Sequence, residues 1–433
     1  MKKSVIKKIS LFCSMLVAAS CFAVFGAACS DAGKKDGARL KVGLISDPHC
    51  ITTTSWNGSL VKTFNYFKEQ DVDAIVIAGD ITDIANTANY GVYNKAVSSV
   101  FGNDAPEMIL SMGNHDFWTV KHSVQAPKQQ VYDLFEDEIG QTVNYHTEVN
   151  GFHFIALSPD THSNNFNSSI KWLEGELADA AADAPDHPIF IVAHANAANT
   201  VPGGTSAELG EALENYPQAV LFSGHTHYAV QDERTIYQEN FTSIDLGASS
   251  YYTIVDRNYE NQPSTQGQLN MFARLLTIKG NQMAIKRVSV ETGETEKQPY
   301  TFKLPLKKEE FTYTSARVDA AVAPTFAPGA TITISSMALA GAIKLTFPSA
   351  TCPTDMVYAY RVRIAEQGAS LPLVNKYYAT NFYKGVASIE ATNDYIIQGL
   401  EVGKTYEISI TARESFGKFT ETPLTATYTV PAV

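Results

Sequence analysis

From Arg39 onward, short apolar runs alternate with segments whose apolar residues recur every three or four positions. Leu40–Ile45, Ala74–Ala78, Met108–Met112, Phe152–Leu157, Ile189–Ala193 and Ala219–Phe222 read as strands, because runs this short and this continuously apolar fit strands covered on both faces. Between them Leu60, Phe64 and Phe67, and later Ile170, Leu173 and Leu177, repeat at helical spacing. Strands alternating with helices predict an α/β domain over residues 39–300. Within Met271–Val290, two alternating segments flank Gly280-Asn281 and predict a closing hairpin.

After about residue 300 the helical pattern stops. Residues 301–321 read as a linker, and residues 322–433 as an all-β domain. In that domain Thr331–Ser335, Ile343–Phe347, Val357–Ile364, Tyr395–Ile397, Thr405–Ala412 and Thr425–Val430 alternate as strands at the spacing of a β-sandwich. The run from Leu400 through Gly403 to Tyr406, followed by Ile408, Ile410 and Ala412, resembles the E–F corner of a fibronectin type III domain. Phe347 stands where that family usually has a tryptophan.

The N-terminus changes the picture of location. Lys2, Lys3, Lys7 and Lys8 precede an apolar stretch from Ile9 to Ala28, the pattern of a secretory signal peptide over residues 1–28. Gly26-Ala27-Ala28-Cys29 resembles a bacterial lipobox, which implies a lipid on Cys29, a polar tether over residues 29–38 and a membrane anchor on the extracytoplasmic face. Cys21 is the competing position. Those four lysines are the only charges in the segment, so its removal takes the formal charge from −12 to −16. So acidic a chain, without a long basic run, argues against general nucleic-acid binding. Any anionic substrate must be drawn by a local positive site. Beyond Cys29 only Cys50 and Cys352 remain, which excludes a disulfide framework and a C-x-x-C metal site.

Candidate chemistry gathers where the apolar runs end. Leu40–Ile45 leads into Ser46-Asp47-Pro48-His49, and Ala74–Ala78 into Gly79-Asp80-Ile81-Thr82-Asp83. Met108–Met112 leads into Gly113-Asn114-His115-Asp116, Ile189–Ala193 into His194, and Ala219–Ser223 into Gly224-His225-Thr226-His227. Ligands of α/β sheets collect at the carboxyl ends of strands. Carboxylate, amide oxygen and imidazole without thiolate suit Mn, Fe, Zn, Co or Ni. Each piece alone is a common turn, but five in one order, each at a strand end, form a site.

This series resembles the calcineurin-like metallophosphoesterase superfamily, whose pattern is D-x-H, G-D-x-x-D, G-N-H-D, a lone H, then G-H-x-H. The resemblance covers residues 38–300. It implies a four-layer α-β-β-α sandwich of two mixed sheets, and two divalent transition metal ions at one edge. Carried over position by position, Asp47, His49 and His227 bind one ion, Asn114, His194 and His225 the other, and Asp80 bridges them. A metal-bridging hydroxide would attack a phosphate mono- or diester, with His115 beside the leaving oxygen and Asp116 orienting its ring. With two such ions, two carboxylates and the hydroxide, the site carries a residual +1, the local attractor an acidic protein needs. Asp83 stands where purple acid phosphatases have a ligand tyrosine, which argues against an Fe(III)–Tyr centre.

Two alternatives stay beside this reading. One is a phosphodiesterase specific for nucleotides, lipid head groups or wall polymers. The other is a non-catalytic cell-surface protein whose sandwich domain binds a surface or glycan partner. Five histidines lie outside the motifs, namely His122, His146, His153, His162 and His187. His122 is the candidate for a pocket role, and Phe117-Trp118 are candidate cleft residues.

Overall fold

The computed structural model describes residues 39–53, 57–120, 123–256, 258–261 and 271–432. The expected signal segment, Cys21, Cys29, the tether and His122 lie outside these residues.

The first half alternates as the apolar pattern predicts, with β1 (Leu40–Ile45), α1 (Asn57–Glu69), β2 (Ala74–Ala78), α2 (Thr87–Phe101) and β3 (Glu107–Ser111). A short hairpin of β4 (Trp118–Val120) and β5 (Val124–Gln125) precedes α3 (Lys128–Ile139). Then follow β6 (Tyr145–Val149), β7 (Phe152–Leu157), α4 (Ile170–Asp183), β8 (Ile189–Ala193), α5 (Ala207–Leu213), β9 (Ala219–Ser223), β10 (Ile236–Gln238) and β11 (Thr242–Asp245). The hairpin expected around Gly280-Asn281 is β12 (Phe272–Lys279) and β13 (Gln282–Ser289), and β14 (Tyr300–Lys303) adds to it.

Two mixed sheets result, ordered β14-β13-β12-β1-β2-β3 and β10-β11-β9-β8-β7-β6. β1, β2 and β3 run parallel in one, and β7, β8, β9 and β11 in the other. Strand residues alternate between two environments, as their period of two requires. Leu40, Val42 and Leu44 of β1 share a core with Phe154, Phe190 and Phe222 of the other sheet. Ile75 and Ile77 of β2 pack instead on Leu60, Phe64 and Phe67 of α1. In the second sheet Ile189 and Ile191 of β8 pack on Leu173 and Leu177 of α4. Of the residues read at helical spacing, Leu60, Phe64, Phe67, Leu173 and Leu177 are buried and Ile170 is half-buried.

β14 crosses the boundary expected at residue 300, and the stretch read as a linker is packed rather than free. Phe302, Leu304 and Leu306 are buried in the core shared by the two sheets, with Phe311 and Tyr313 against it. Its short helix α6 (Ala316–Ala320) carries Arg317, whose guanidinium donates to the carbonyls of Glu233 and Ile236.

The C-terminal domain pairs β15 (Thr333–Ser336), β16 (Ile343–Pro348) and β19 (Thr392–Ile397) in one sheet. The second sheet orders β18 (Val374–Ala379), β17 (Ala359–Glu366), β20 (Thr405–Arg413) and β21 (Leu424–Thr429). β18 escapes the sequence pattern because Asn375 and Lys376 interrupt its alternation with exposed polar residues. Phe347 fills the core against Tyr360 and Tyr395. The Glu401 N–H donates to the Tyr406 hydroxyl at 2.9 Å, a tyrosine corner that fixes the chain entering β20.

Candidate metal centre

The strand ends named by the motifs meet at one edge because β1, β2, β3, β8 and β9 are parallel within their sheets. Backbone bonds fasten the loops together beyond the last strand residues. Asp47 N–H donates to Gly79 O at 3.1 Å, His49 N–H to Asp80 O at 3.0 Å, and Gly224 N–H to His194 O at 3.0 Å. Asp47, His49, Asp80, His225 and His227 all have positive φ, between 45° and 71°. Side chains other than glycine avoid this region, and such strain persists where surrounding contacts over-determine it, as at functional sites.

The motif glycines are steric necessities. A Cβ on Gly113 would lie 2.2 Å from Asp80 Oδ1 and 2.4 Å from the Asp80 backbone nitrogen. One on Gly224 would lie 1.8 Å from Ser46 Oγ and 2.3 Å from Asp47 Oδ2. Neither contact has room for a methyl group.

All seven expected ligand residues come together. His227 Nε2 lies 3.0 Å from Asp47 Oδ1, and His49 Nε2 lies 3.7 Å from the same oxygen and 3.6 Å from Asp80 Oδ2. On the other side of Asp80, His194 Nε2 is 3.2 Å from Asp80 Oδ2 and 3.2 Å from Asn114 Oδ1. Asp80 thus stands between the two groups. His225 completes the second group at the exposed rim, with its ring 5.2 Å from that of His194. The ring nitrogens facing away are held from behind: His194 Nδ1 lies 2.8 Å from Ala78 O, and His227 Nδ1 lies 3.1 Å from Tyr251 O. A carbonyl there takes a ring N–H and leaves Nε2 as a lone-pair donor, the usual outer support of a metal-bound imidazole.

The donor set fits metal ions. Asp47 Oδ1 is buried without a hydrogen-bond partner, and His49 Nε2 faces His227 Nε2 at 3.2 Å. Lone pairs converging on one buried volume require a positive charge among them. Burial opposes charge on the His49 ring, but Asp47, Asp83 and Asp80 outweigh it and push its pKa up to about 10. Burial is likewise outweighed at His194, pushed up to about 9 by Asp80 and Asp47. The carboxylates therefore draw cations, and divalent ions answer that demand more fully than protons.

His115 and Asp116 correct one expectation. The His115 ring is held not by Asp116 but by Asp83, whose carbonyl and Oδ1 each lie 3.1 Å from Nδ1. Asp116 is fully buried and accepts from the backbone N–H groups of Ile81, Thr82 and Gly113 and from the Thr82 hydroxyl. It ties the second motif to the third and positions Asp80 and Asn114 together.

Asn164, in the loop after β7, was missed by the motif reading. Its Nδ2 lies 3.0 Å from Asn114 Oδ1 and 3.4 Å from His225 Nδ1, while its Oδ1 is buried and unpartnered. A polar run after β7 marks the loop in the sequence, but only the pairing of β7 with β8 brings this residue of it to the site. Phe117 belongs to the core beside α3, whereas Trp118 is half-buried with its ring 5.1 Å from that of His162. His146 and His153 pair with Glu176 and Asp183, and His187 stacks on Phe152, so none of these three joins the centre.

Residues 40–229 match the family profile described as calcineurin-like phosphoesterase. A probable cyclic nucleotide phosphodiesterase of Rhodococcus erythropolis is 26% identical over 170 residues, which are 36% of this chain and 52% of that protein. A cAMP/cGMP dual specificity phosphodiesterase of Mycobacterium tuberculosis is 27% identical over 167 residues, 36% of this chain and 49% of that protein. The chain spans about half the length of these curated relatives. A dimetal phosphatase from Danio rerio overlays with a TM-score of 0.42 at 11% identity, covering 61% of this chain and 99% of that one.

Proposed function

We propose that this chain, which carries a calcineurin-like phosphoesterase domain at residues 40–229, hydrolyses phosphate esters at a centre of two divalent metal ions. The observation that carries the reading is the convergence of Asp47, His49, Asp80 and His227 on one buried volume, with Asn114 and His194 on the far side of Asp80. Asp47, His49 and His227 would hold one ion, Asn114, His194 and His225 the other, and Asp80 both. When bound, such ions supply an acidified water as nucleophile and neutralise charge gathering on the phosphoryl oxygens.

The chain's own groups do the rest. Asp83 holds Nδ1 of His115, which leaves Nε2 as the ring atom that can protonate the leaving oxygen. The amide of Asn164 sits beside Asn114 and His225, where a hydrogen-bond donor can meet a phosphoryl oxygen. Asp116 keeps the loops of Asp80 and Asn114 in register.

The likeness to two cyclic nucleotide phosphodiesterases favours a phosphodiester, cyclic nucleotides included, over a monoester. Chelator-stripped protein assayed with aryl mono- and diesters and with cyclic nucleotides, before and after adding Mn, Fe, Zn, Co or Ni, tests both points. Turnover that survives stripping would refute the metal reading, and turnover of the monoester alone would refute the diester preference.

The reading extends to architecture and location. Cores on both faces of each sheet support α-β-β-α layering, and the three-plus-four-strand domain with its Tyr406 corner supports a fibronectin type III-like sandwich. The lipobox-like sequence at Cys29 supports anchoring on the extracytoplasmic face. Cys29→Ser should then release the protein from membranes or block its processing, and retention of a processed mutant would rule Cys29 out.

A further inference from the structure

The metal-bearing loop at His227 is supported by a strap, residues 251–256, that belongs to neither six-stranded sheet. On its inner side the strap grips the loop directly. Tyr251 O lies 3.1 Å from His227 Nδ1, the Thr253 N–H donates to His227 O at 2.7 Å, and the Thr253 hydroxyl donates to Thr226 O at 2.8 Å. The Tyr251 ring lies 4.2 Å from the His227 ring.

On its outer side the same strap rests on the C-terminal sandwich. The Tyr252 ring lies 5.0 Å from that of Tyr383, and the Tyr358 hydroxyl donates to Val255 O at 3.1 Å. Asp256 pairs with Arg413 at 3.0 Å. Farther along, the Asn261 side chain bonds both backbone groups of Ala379, at 2.7 and 2.8 Å, and the Glu260 N–H donates to Tyr377 O at 2.8 Å. A single apolar cluster runs from Ala229, Tyr252 and Ile254 into Tyr358 and Phe382. The sandwich therefore touches the carrier of His227 by packing, by hydrogen bonds and by an ion pair.

We infer that the C-terminal sandwich is a structural part of the metal centre, positioning His227 through the strap. Such support suits His227, whose φ of 58° is uncommon for a non-glycine residue. Tyr251 O sets which ring nitrogen carries the proton, and the sandwich sets where Tyr251 O stands. Tyr383, Tyr358 and Asn261 are thus positioning residues, distant from the phosphoryl group. The inference rests on the reading of His227 as a metal ligand.

The test is calorimetric titration of Mn2+ into the chelator-stripped full chain, compared with Tyr383→Ala and the milder Asn261→Ala. Outer support of a ligand histidine typically changes metal affinity by about 10–100-fold. Loosening the strap should weaken one of the two ions by about 10-fold and leave the other unchanged. Ile343→Val, in the sandwich core within the other sheet, is the control for sandwich stability alone and should leave both ions unchanged. Unchanged binding of both ions in folded Tyr383→Ala and Asn261→Ala would overturn the inference, as would an equal loss in Ile343→Val. If the unaltered chain itself fails to bind two ions, the metal reading fails first and takes this inference with it.

Discussion

Gly113→Ala is the smallest change that should dismantle the centre while sparing the fold. Ordinary contact begins near 3.4 Å, and the added methyl carbon would lie 2.2 Å from Asp80 Oδ1, 2.4 Å from the Asp80 backbone nitrogen and 2.7 Å from His194 Cδ2. A side-chain oxygen alone can swing aside, but a backbone nitrogen cannot, so the loop bearing Asp80 has to shift by about 1 Å. That shift breaks the bond in which the His115 N–H donates to Asp80 Oδ1 at 2.7 Å, and draws Asp80 out of line with both ion positions. Overpacking of this kind costs about 1–3 kcal/mol, which a domain of this size survives. A 1 Å misplacement at a reacting centre costs roughly 10²-fold in rate. Metal content by elemental analysis, aryl diester turnover and a urea unfolding curve should therefore show a folded protein with depleted metal and a rate reduced about 100-fold. Gly175→Ala is the matched control, since nothing lies within 4 Å of its added carbon and alanine favours the interior of α4. A folded Gly113→Ala protein with two ions and unchanged turnover would refute the steric argument.

His115→Asn should keep both ions yet lose about 10²–10⁴-fold in turnover of an alkyl ester, with a much smaller loss for a nitrophenyl ester that needs no proton. Asp83→Asn should lower turnover and also weaken the ion held by His49, whose Nδ1 the same carboxylate supports at 3.3 Å, and Asp116→Ala should lower stability and metal content together; equal loss on both esters in His115→Asn would sink the acid role. Asn164→Asp places a carboxylate among the ligand atoms of Asn114 and His225, so Mn2+ should bind more tightly and inorganic phosphate about 10-fold more weakly. Unchanged phosphate binding there would remove Asn164 from the substrate site. Glu233 is buried, and against that burial Arg287 and Lys297 draw its pKa from 4.5 down to about 2. A depressed carboxylate stabilises the fold above pH 4.5 and loses that contribution as pH falls from there through about 2. Urea midpoints should decline across that window, and Glu233→Gln should flatten the decline; an unchanged slope would discount the cluster.

The chain's local pattern already contained the strands that carry the centre and the residues at their ends. Apolar runs such as Ala74–Ala78 are legible because burial on both faces admits no polar interruption, and Leu60, Phe64 and Phe67 are legible because a helix repeats its buried face. Gly113 and Gly224 also belong to this readable part, although the reason for them is a contact with chain 33 or more positions away. Where a contact is the whole signal, the sequence was silent. Asp116 and Asp83 are both acids near His115, and only the turn of the chain through residues 115–117 decides that Asp83 reaches the ring while Asp116 turns back to the loop amides. Asn164 joins the site because β7 lies beside β8 in the second sheet, a pairing with no local mark. β18 was hidden because its exposed polar residues break the alternation while its hydrogen bonds to β17 hold it in place. The docking of the sandwich on residues 251–261 is the clearest case. The sequence separates those residues from Tyr358 and Tyr383 by about 100 to 130 positions, and only packing in three dimensions sets the second domain against the strap that holds the loop of Thr226 and His227.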